Sequence, residues 1–396
     1  MRIALYYPWI YLTSGAERVL AQLTGRSRHA WTLFTNRFQP ESTFPELRDR
    51  DVVELERISV ERSLGTTFKS AMTISRQRLP LDGFDALVVV CEGLGDLVTF
   101  RNRDLPLINI CLTPLRIVCD LSYREHYLSQ KGMLHRLAIA AGAPLYGFIN
   151  QRAWRHYDRV FFISEESRRR AINGGLIQNQ AGEVVHVGLG FEPPAPSAIF
   201  EPFFLIPGRI MWTKNIELGI RAFKLLVAQH PELAHFRLVV AGIVDEKSEP
   251  YLKKLQDIAG DDTRIEFRIF PSDAELEALY RRAWTVLFTP FNEDWGIVPI
   301  EAMAFGKPVI AVNRGGPRES VGDGVHGFLE EPEPERFATR MAQLASNPEL
   351  AWEMGSRGHV RAQKFSWNAF AAKIDDAIDA LCRSRESMVC EEATGP

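Results

Sequence analysis

Two basic residues carry the first chemical signal in the sequence. Arg209 directly follows an apolar run that ends at Gly208, and Lys214 comes five residues later, ahead of an amphipathic stretch. If the run is a strand of an α/β domain, both cations project into the crevice at its carboxyl end, where ligands bind. A forked guanidinium and a compact ammonium can together neutralise a diphosphate. The alternative is a solvated pair of surface cations.

Two carboxylates lie further along the chain, with seven residues between them. Glu293 falls in the loop after the apolar run 285–288, and Glu301 falls near the start of a helix whose first turn suits Pro299. Gly296, between the carboxylates, allows the backbone to approach a ligand closely. Carboxylates that face sugar or ribose hydroxyls accept charge-assisted hydrogen bonds. Alternatively, Glu301 offsets the helix dipole and Glu293 is solvated.

A glycine turn near the amino terminus offers a weaker signal for phosphate. The sequence Ser14-Gly15-Ala16-Glu17 follows the first apolar run and precedes a helical pattern. Backbone N–H groups at such a helix N-terminus can bind phosphate, although helix capping explains the same residues. No G-x-G-x-x-G fingerprint lies there, which counts against a nicotinamide oxidoreductase.

Metal and hydrolase chemistry have little support. Asp49-Arg50-Asp51 spells D-x-D but lies in a charged stretch, so we expect a solvated loop. The nine histidines form no H-E-x-x-H motif, and no G-x-S-x-G elbow occurs. Because Arg and Lys can stabilise a departing diphosphate, we expect neither a metal nor a cofactor.

The elements that position these residues follow an α/β pattern. Apolar runs alternate with longer amphipathic segments, and Val88-Val89-Val90 is apolar on both faces, as a parallel strand covered by helices requires. Strands are predicted at 3–7, 31–35, 86–91, 107–111, 160–163 and 184–187, and in a second series at 203–207, 236–241, 265–270, 285–288 and 308–312.

The length of 396 residues predicts two domains. The proline-rich segment 192–196 indicates a linker between the two series of strands. We therefore predict an N-terminal Rossmann-like domain over 1–195 and a second one over 196–365. A C-terminal helix over 366–384 and a flexible tail over 385–396 complete the chain.

Composition places the protein among ordinary globular chains. Hydrophobic residues make up 46% and charged residues 24%, and the net charge is −3, which excludes a disordered or broadly nucleic-acid-binding chain. Five cysteines without a C-x-x-C pair indicate a reducing, cytoplasmic location. Residues 1–12 predict an opening strand rather than a signal peptide, and the apolar run 137–149 is short of the roughly 20 residues of a spanning helix.

Positive charge is concentrated in the first half. Between residues 101 and 170, Lys and Arg exceed Asp and Glu by six, and these cations flank the apolar segment 137–154. A solvated surface explains the charge, but the combination also suits an anionic membrane surface or an anionic acceptor.

Taken together, four motifs resemble a known family. The E-x7-E spacing of Glu293 and Glu301, the G-R-x4-K run 208–214, the turn 14–17 and the segment Gly315-Gly316-Pro317-x-Glu319 are similar to those of retaining nucleotide-sugar glycosyltransferases of the GT-B fold, glycosyltransferase family 4. The resemblance is dense from 203 to 365. It implies two facing Rossmann-like domains, and a final helix that returns to the first.

The resemblance also implies roles for individual residues. Arg209 and Lys214 would clamp the diphosphate, Glu301 would hold the ribose hydroxyls, and Glu293 would contact the donor sugar. Arg209, Lys214 and Glu293 would be catalytic. The implied donor-binding residues are Gly15, Gly208, Arg209, Lys214, Phe270, Glu293, Gly296, Ile297, Val298 and Glu301.

One departure concerns the acceptor. Many relatives carry His-Thr-Pro-x-Arg where this chain has Leu112-Thr113-Pro114-Leu115-Arg116, so Thr113 and Arg116 are acceptor-side candidates and activation of the acceptor is in question. The implied reaction moves a hexose from GDP-mannose or a UDP-hexose to a glycan or lipid-linked acceptor, as in cell-surface polysaccharide assembly. The alternative is a non-catalytic GT-B module that binds nucleotide-sugar or glycan.

Overall fold

The structure is a computed structural model that describes residues 1–61, 63–129, 131–178 and 181–393. The chain divides into two compact units. Unit 1 comprises Met1–Gly188 and Ser366–Pro396, and unit 2 comprises Leu189–Phe365. The boundary falls a few residues before the proline-rich segment that indicates the linker.

A parallel sheet forms the centre of unit 1. Its seven strands, counted over the described residues, follow the order β3-β2-β1-β4-β5-β6-β7. The strands are β1 (Arg2–Tyr6), β2 (Ala30–Thr35), β3 (Asp51–Glu54), β4 (Ala86–Cys91), β5 (Leu107–Cys111), β6 (Arg159–Phe162) and β7 (Glu183–Val184). The helices are α1 (Gly15–Arg26), α2 (Pro45–Arg48), α3 (Leu64–Arg76), α4 (Arg116–Cys119), α5 (Leu121–Ser129), α6 (Met133–Trp154), α7 (Glu165–Asn173) and, after unit 2, α15 (Trp367–Ala393).

Unit 2 repeats this architecture. Its parallel sheet has six strands, again over the described residues, in the order β10-β9-β8-β11-β12-β13. The strands are β8 (Phe203–Pro207), β9 (Arg237–Gly242), β10 (Ile265–Ile269), β11 (Thr285–Phe288), β12 (Val309–Val312) and β13 (Gly327–Glu330). The helices are α8 (Ile216–Gln229), α9 (Glu249–Ala259), α10 (Asp273–Arg282), α11 (Ile297–Ala304), α12 (Pro317–Ser320), α13 (Pro334–Ala345) and α14 (Pro348–Ala362).

Burial explains both sheets. All six residues of β4 are buried, including Val88, Val89 and Val90, as expected for a strand covered on both faces. In unit 2, Phe204 and Leu238 on neighbouring strands pack with Phe223 of α8 in one apolar core. In each sheet the first strand lies centrally, with the strand order reversing beside it. This is the arrangement in which ligands bind at the carboxyl edge.

The structure corrects several predicted boundaries. The short edge strands β3 and β13 were not predicted, because each carries a charged residue at one or both ends. Helix α6 continues through Pro144, with Ala143 and Gly147 buried on either side of the proline. Helix α15 continues to Ala393, beyond the predicted end at 384, because no helix breaker interrupts the segment 385–393. Residues 394–396 of the predicted tail lie outside the described residues.

Helix α15 packs within unit 1. The carboxylate of Asp375 accepts hydrogen bonds from the Ser27 hydroxyl at 2.6 Å and from the Arg28 backbone N–H at 2.9 Å, just after α1 ends. Over the described residues, no helix is both long and apolar enough to cross a bilayer.

Candidate active site

The backbones at the ends of β8 and β9 in unit 2 pack closely. Gly208 has a φ of 125°, a conformation that side chains with a Cβ rarely adopt. A Cβ on Gly242 would lie 1.7 Å from the carbonyl oxygen of Gly208, so only glycine fits at the end of β9. The G-R-x4-K motif indicates Gly208, but no motif indicates Gly242, whose requirement comes from a contact between distant parts of the chain.

Arg209 lies beside a carboxylate from the loop after β9. Its Nη2 is 3.1 Å from Asp245 Oδ2, and both side chains are about half exposed. Hydrogen bonding from Ser248, together with the charge of Arg209, lowers the pKa of Asp245. Arg209 is thus held by an ionised partner 36 residues away, which no sequence motif indicates.

Lys214 and Glu293 meet across neighbouring strand ends. The Lys214 Nζ donates to Glu293 Oε2 at 2.6 Å, and each side chain is only 27% exposed. The two segments are also joined by the Thr289 side chain, whose hydroxyl donates to the Lys214 carbonyl at 2.8 Å. Asn215 follows in the left-handed conformation, with a φ of 48°, directly before α8. The structure therefore brings these two predicted site residues into direct contact.

The loop that carries Glu293 rests on the two glycines of the Gly315-Gly316 motif. The Gly316 N–H donates to the Glu293 carbonyl at 3.0 Å. A Cβ on Gly315 would lie 2.2 Å from the Glu293 carbonyl oxygen, and one on Gly316 would lie 2.2 Å from that of Trp295. These glycines let two backbone segments pack without side chains between them, which fixes the position of Glu293.

Glu301 lies in the second turn of α11 and contacts a buried tyrosine. The Tyr280 hydroxyl donates to Glu301 Oε2 at 2.7 Å, and the Tyr280 ring stacks on Phe305 at 5.4 Å. Burial, reinforced by the negative charge of Glu301, raises the pKa of Tyr280 well above its usual value. Tyr280 therefore keeps its proton and donates at every physiological pH. No sequence motif indicates Tyr280.

The start of α11 has the backbone expected for close approach to a ligand. Gly296 has a φ of 81° and precedes the helix, whose first two residues are Ile297 and Val298. A Cβ on Gly296 would lie 2.8 Å from the Phe288 ring. Glycine is therefore required here for its conformation and for space.

Phe270 occupies an unusual position after β10. It has a φ of 56°, which is rare for a bulky residue, and its side chain is 63% exposed. Its backbone N–H donates to the Gly242 carbonyl at 3.0 Å, so the end of β10 joins the ends of β9 and β8. The sequence predicted Phe270 as the last residue of the strand; the strand ends instead at Ile269 because Phe270 turns into the left-handed region.

In unit 1, Gly15 begins α1 with no strain. A Cβ at this position would have no atom within 4 Å, so the packing of unit 1 does not require glycine at position 15. The loop before it is organised by Glu17, whose buried carboxylate accepts from the Leu12 N–H at 3.1 Å and from the Ser14 hydroxyl. The capping interpretation expects a hydrogen bond from the helix backbone to the Ser14 side chain. The structure shows no such bond.

The acceptor-side candidates lie after β5. Leu112 is buried, the Thr113 hydroxyl donates to the Pro114 carbonyl at 3.1 Å, and the Arg116 guanidinium lies 4.5 Å from the centre of the Tyr123 ring. Arg116 also pairs with Asp120 at 3.5 Å. These contacts are internal to unit 1.

The described residues contain no cluster of three or more His, Cys, Asp or Glu side chains arranged to hold a metal ion. The predicted site residues of unit 2 and their ion-pair partner instead supply two cations and three carboxylates, namely Arg209, Lys214, Asp245, Glu293 and Glu301.

Most of unit 2 matches a known protein family. Residues 196–361 match the family described as glycosyl transferases group 1. By this match, the segment 196–361 is identified as a glycosyl transferases group 1 domain. The resemblance inferred from the motifs is thereby confirmed, and it falls on the segment where those motifs are densest.

Two curated relatives show the range of this glycosyltransferase similarity. Alpha-1,3/1,6-mannosyltransferase ALG2 of Mus musculus is 39% identical over 187 residues, which are 45% of this chain and 45% of that protein. D-inositol 3-phosphate glycosyltransferase of Streptomyces griseus is 34% identical over 183 residues, 44% of this chain and 38% of that protein. The chain thus matches less than half the length of these relatives.

Solved structures resemble almost the whole chain. Sucrose-phosphate synthase from Thermosynechococcus elongatus has a TM-score of 0.73 at 19% identity and covers 97% of this chain and 100% of its own. Anabaena Alr3699/HepE, solved in complex with UDP and glucose, has a TM-score of 0.66 at 20% identity, with 96% and 99% covered. The predicted fold class, α/β with two Rossmann-like parallel-sheet domains of the GT-B type, is confirmed.

Proposed function

We propose that the protein is a retaining hexosyltransferase that uses a nucleoside diphosphate sugar. The observation that supports this best is the contact of Lys214 with Glu293, 2.6 Å apart at the carboxyl edge of the unit 2 sheet. A cation suited to a diphosphate and a carboxylate suited to sugar hydroxyls are adjacent there, as the junction between phosphate and sugar of such a donor requires.

The donor is GDP-mannose or a UDP-hexose. The relatives named as mannosyltransferases, 39% and 38% identical over their matched segments, support mannose as the transferred sugar. Glu301, oriented by Tyr280, would accept hydrogen bonds from the ribose hydroxyls. The backbone at Phe270 would meet the base, and the backbone at Gly296 would approach the sugar and phosphate.

The chemistry follows from where negative charge grows. As the bond between the sugar C1 and the phosphate oxygen breaks, the charge on the departing diphosphate increases, and Arg209 and Lys214 stabilise it. The acceptor oxygen bonds to C1 on the same face, and its proton passes to the departing phosphate oxygen. No protein nucleophile takes part, and the two cations supply the countercharge without a metal.

Release of nucleoside diphosphate tests this proposal. We expect the purified protein, incubated with GDP-mannose, UDP-glucose, UDP-galactose and UDP-N-acetylglucosamine, to hydrolyse one donor slowly without any acceptor. Arg209→Ala and Lys214→Ala should abolish that release. Tight donor binding with no release in the wild type would favour the non-catalytic module instead.

For the acceptor we propose a glycan or a lipid-linked glycan, reached from the cytoplasmic face of an anionic membrane. Helix α6 exposes apolar side chains, among them Leu134 at 85% and Phe148 at 58%, while Ala143, Gly147 and Ala153 face the unit. Residues 126–157 contain four Lys or Arg and no Asp or Glu. An apolar helix face with flanking cations suits the interface of an anionic bilayer.

Vesicle co-sedimentation tests the membrane contact. We expect binding to phosphatidylcholine vesicles that contain 30% phosphatidylglycerol, with loss at high salt, and weak binding to pure phosphatidylcholine. Leu134→Ser and Phe148→Ser should weaken it. Phe68→Ser on α3, whose side chain is also well exposed, is the matched control. Equal binding by all variants, or none by the wild type, would contradict this contact.

A further inference from the structure

Three neighbouring strands of unit 1 end at one place on the carboxyl edge of its sheet. Tyr7 follows β1, Glu92 follows β4 and Leu112 follows β5. The register pairs Cys91 with Cys111, so Glu92 and Leu112 occupy equivalent positions on adjacent strands, about 5 Å apart. Where the motif of the relatives has a histidine, this chain thus has an apolar side chain with a carboxylate beside it.

The carboxylate of Glu92 is exposed and is oriented by a buried tyrosine. The Tyr7 hydroxyl donates to Glu92 Oε2 at 3.1 Å, and Tyr7 itself is only 4% exposed. A hydrogen bond from a buried donor favours one orientation of the carboxylate. The carboxylate can then accept hydrogen bonds from a ligand at the sheet edge.

The backbone around Glu92 is held by a network that the donor site does not use. Gly93 has a φ of 115°, and its carbonyl accepts from the Tyr146 hydroxyl at 3.1 Å. On the other side of Glu92, the Cys91 thiol donates to Asp96 at 2.9 Å.

The centre of this network is a buried carboxyl. Asp96 is 1% exposed and accepts from Tyr157 at 2.7 Å and from Asn109 at 3.0 Å. Burying a carboxyl is unfavourable unless it is hydrogen-bonded. Here three side chains bond to it, and together they fix the loop that presents Glu92. Preorganised backbone of this kind is what a binding residue on a loop needs.

We propose that Glu92, oriented by Tyr7, binds a hydroxyl group of the acceptor sugar. This inference rests on the proposed transfer reaction and adds a residue to its acceptor side. The carboxylate accepts a hydrogen bond from the acceptor, an interaction that the Leu112 side chain has no polar atom to make. Glu92 thereby selects a polyhydroxylated acceptor at the edge of the first sheet.

Separate measurements of donor hydrolysis and transfer test the proposal. The probes are the methyl α-glycosides of mannose, glucose, galactose and N-acetylglucosamine, with the disaccharide product detected by mass spectrometry. For the best of the four, we expect Glu92→Gln to raise the KM for the methyl glycoside about tenfold, because a charged hydrogen bond becomes a neutral one. Tyr7→Phe should raise it about threefold, on the same reasoning for one neutral hydrogen bond.

Donor hydrolysis without acceptor should be unchanged in both variants, and the exposed Glu46→Gln should behave as wild type. Unchanged acceptor KM in Glu92→Gln, or equal losses of hydrolysis and transfer, would overturn the role of Glu92. Donor hydrolysis by the wild type with transfer to none of the four glycosides would overturn the sugar acceptor. Absence of hydrolysis with every donor would instead contradict the proposed function itself.

Discussion

The ammonium group of Lys214 lies 2.6 Å from the carboxylate of Glu293, and this ion pair joins the end of β8 to the loop after β11. Its partners are separated by 79 residues in sequence. A donor diphosphate would share Lys214 with Glu293. In the proposed donor site, the pair would therefore place the phosphate-binding and sugar-binding functions at one point of the sheet edge.

The first prediction concerns the cations. Lys214→Ala and Arg209→Ala should each lower transfer by roughly 100-fold or more, because each removes a charge that stabilises the departing diphosphate. The fold should survive, since Arg209 is nearly half exposed and Lys214 partly so. Turnover and circular dichroism measure both effects. Lys253→Ala, an exposed lysine on α9, is the control, and near-wild-type turnover in the two site variants would contradict the assignment.

The two glutamates should separate in their effects. Glu301→Ala should weaken the binding of nucleoside diphosphate, because it removes the acceptor for ribose hydroxyls. Glu293→Ala should act on turnover and on selectivity among donor sugars, since its partner is the transferred sugar. Titration calorimetry with GDP and UDP, beside turnover with several donors, distinguishes the two. Unchanged nucleotide affinity in Glu301→Ala would show that its ribose role is wrong.

Tyr280→Phe should produce a milder form of the Glu301 effect. The variant keeps the ring that stacks on Phe305 but loses the hydrogen bond that orients Glu301. We expect about a fivefold loss of affinity for the nucleoside diphosphate, as for one hydrogen bond. The wild type and the variant should bind the 2′,3′-dideoxy analogue of the nucleoside diphosphate with equal affinity, because this analogue lacks the ribose hydroxyls. A loss of the same size with both nucleotides would mean that Tyr280 acts on the fold rather than on the ribose.

Asp96 should make the stability of the protein depend on pH. Burial raises the pKa of Asp96 to about 6, whereas it ionises near 4 in the unfolded chain. Between these values the folded state binds more protons, so the free energy of unfolding falls as pH rises, by up to about 3 kcal/mol. The Asp96→Asn variant should lack this fall in the free energy of unfolding, because asparagine does not titrate. Urea denaturation of the wild type and Asp96→Asn from pH 4 to 7 measures how the free energy of unfolding of each protein changes with pH. The same change in both proteins would contradict the prediction.

The central strands and the site loops could be predicted from the sequence because their signals are local. The buried residues of β4 form an uninterrupted apolar run, and the pairs Arg209 with Lys214 and Glu293 with Glu301 lie on short segments of fixed spacing. An edge strand such as β3 lacks that signal, because its two central valines are only half-buried and both of its ends are exposed and charged.

The residues that orient the site could not be predicted because their partners are distant in the chain. Asp245 is 36 residues from Arg209, Tyr280 is 21 residues from Glu301, and Tyr7 is 85 residues from Glu92. No pattern within a single element indicates such pairs. The first and third pairs arise where neighbouring strands bring their carboxyl ends together, and the second arises where α10 contacts α11.

The stereochemistry of donor hydrolysis tests the central claim most directly, and it needs no acceptor. Proton NMR can follow the wild-type protein with its preferred α-linked nucleotide sugar and identify the first sugar anomer released, before mutarotation. The proposed retaining reaction on a diphosphate held by Arg209 and Lys214 predicts the α-anomer, with release lost when either cation is replaced. First appearance of the β-anomer, or release that persists without both cations, would contradict it.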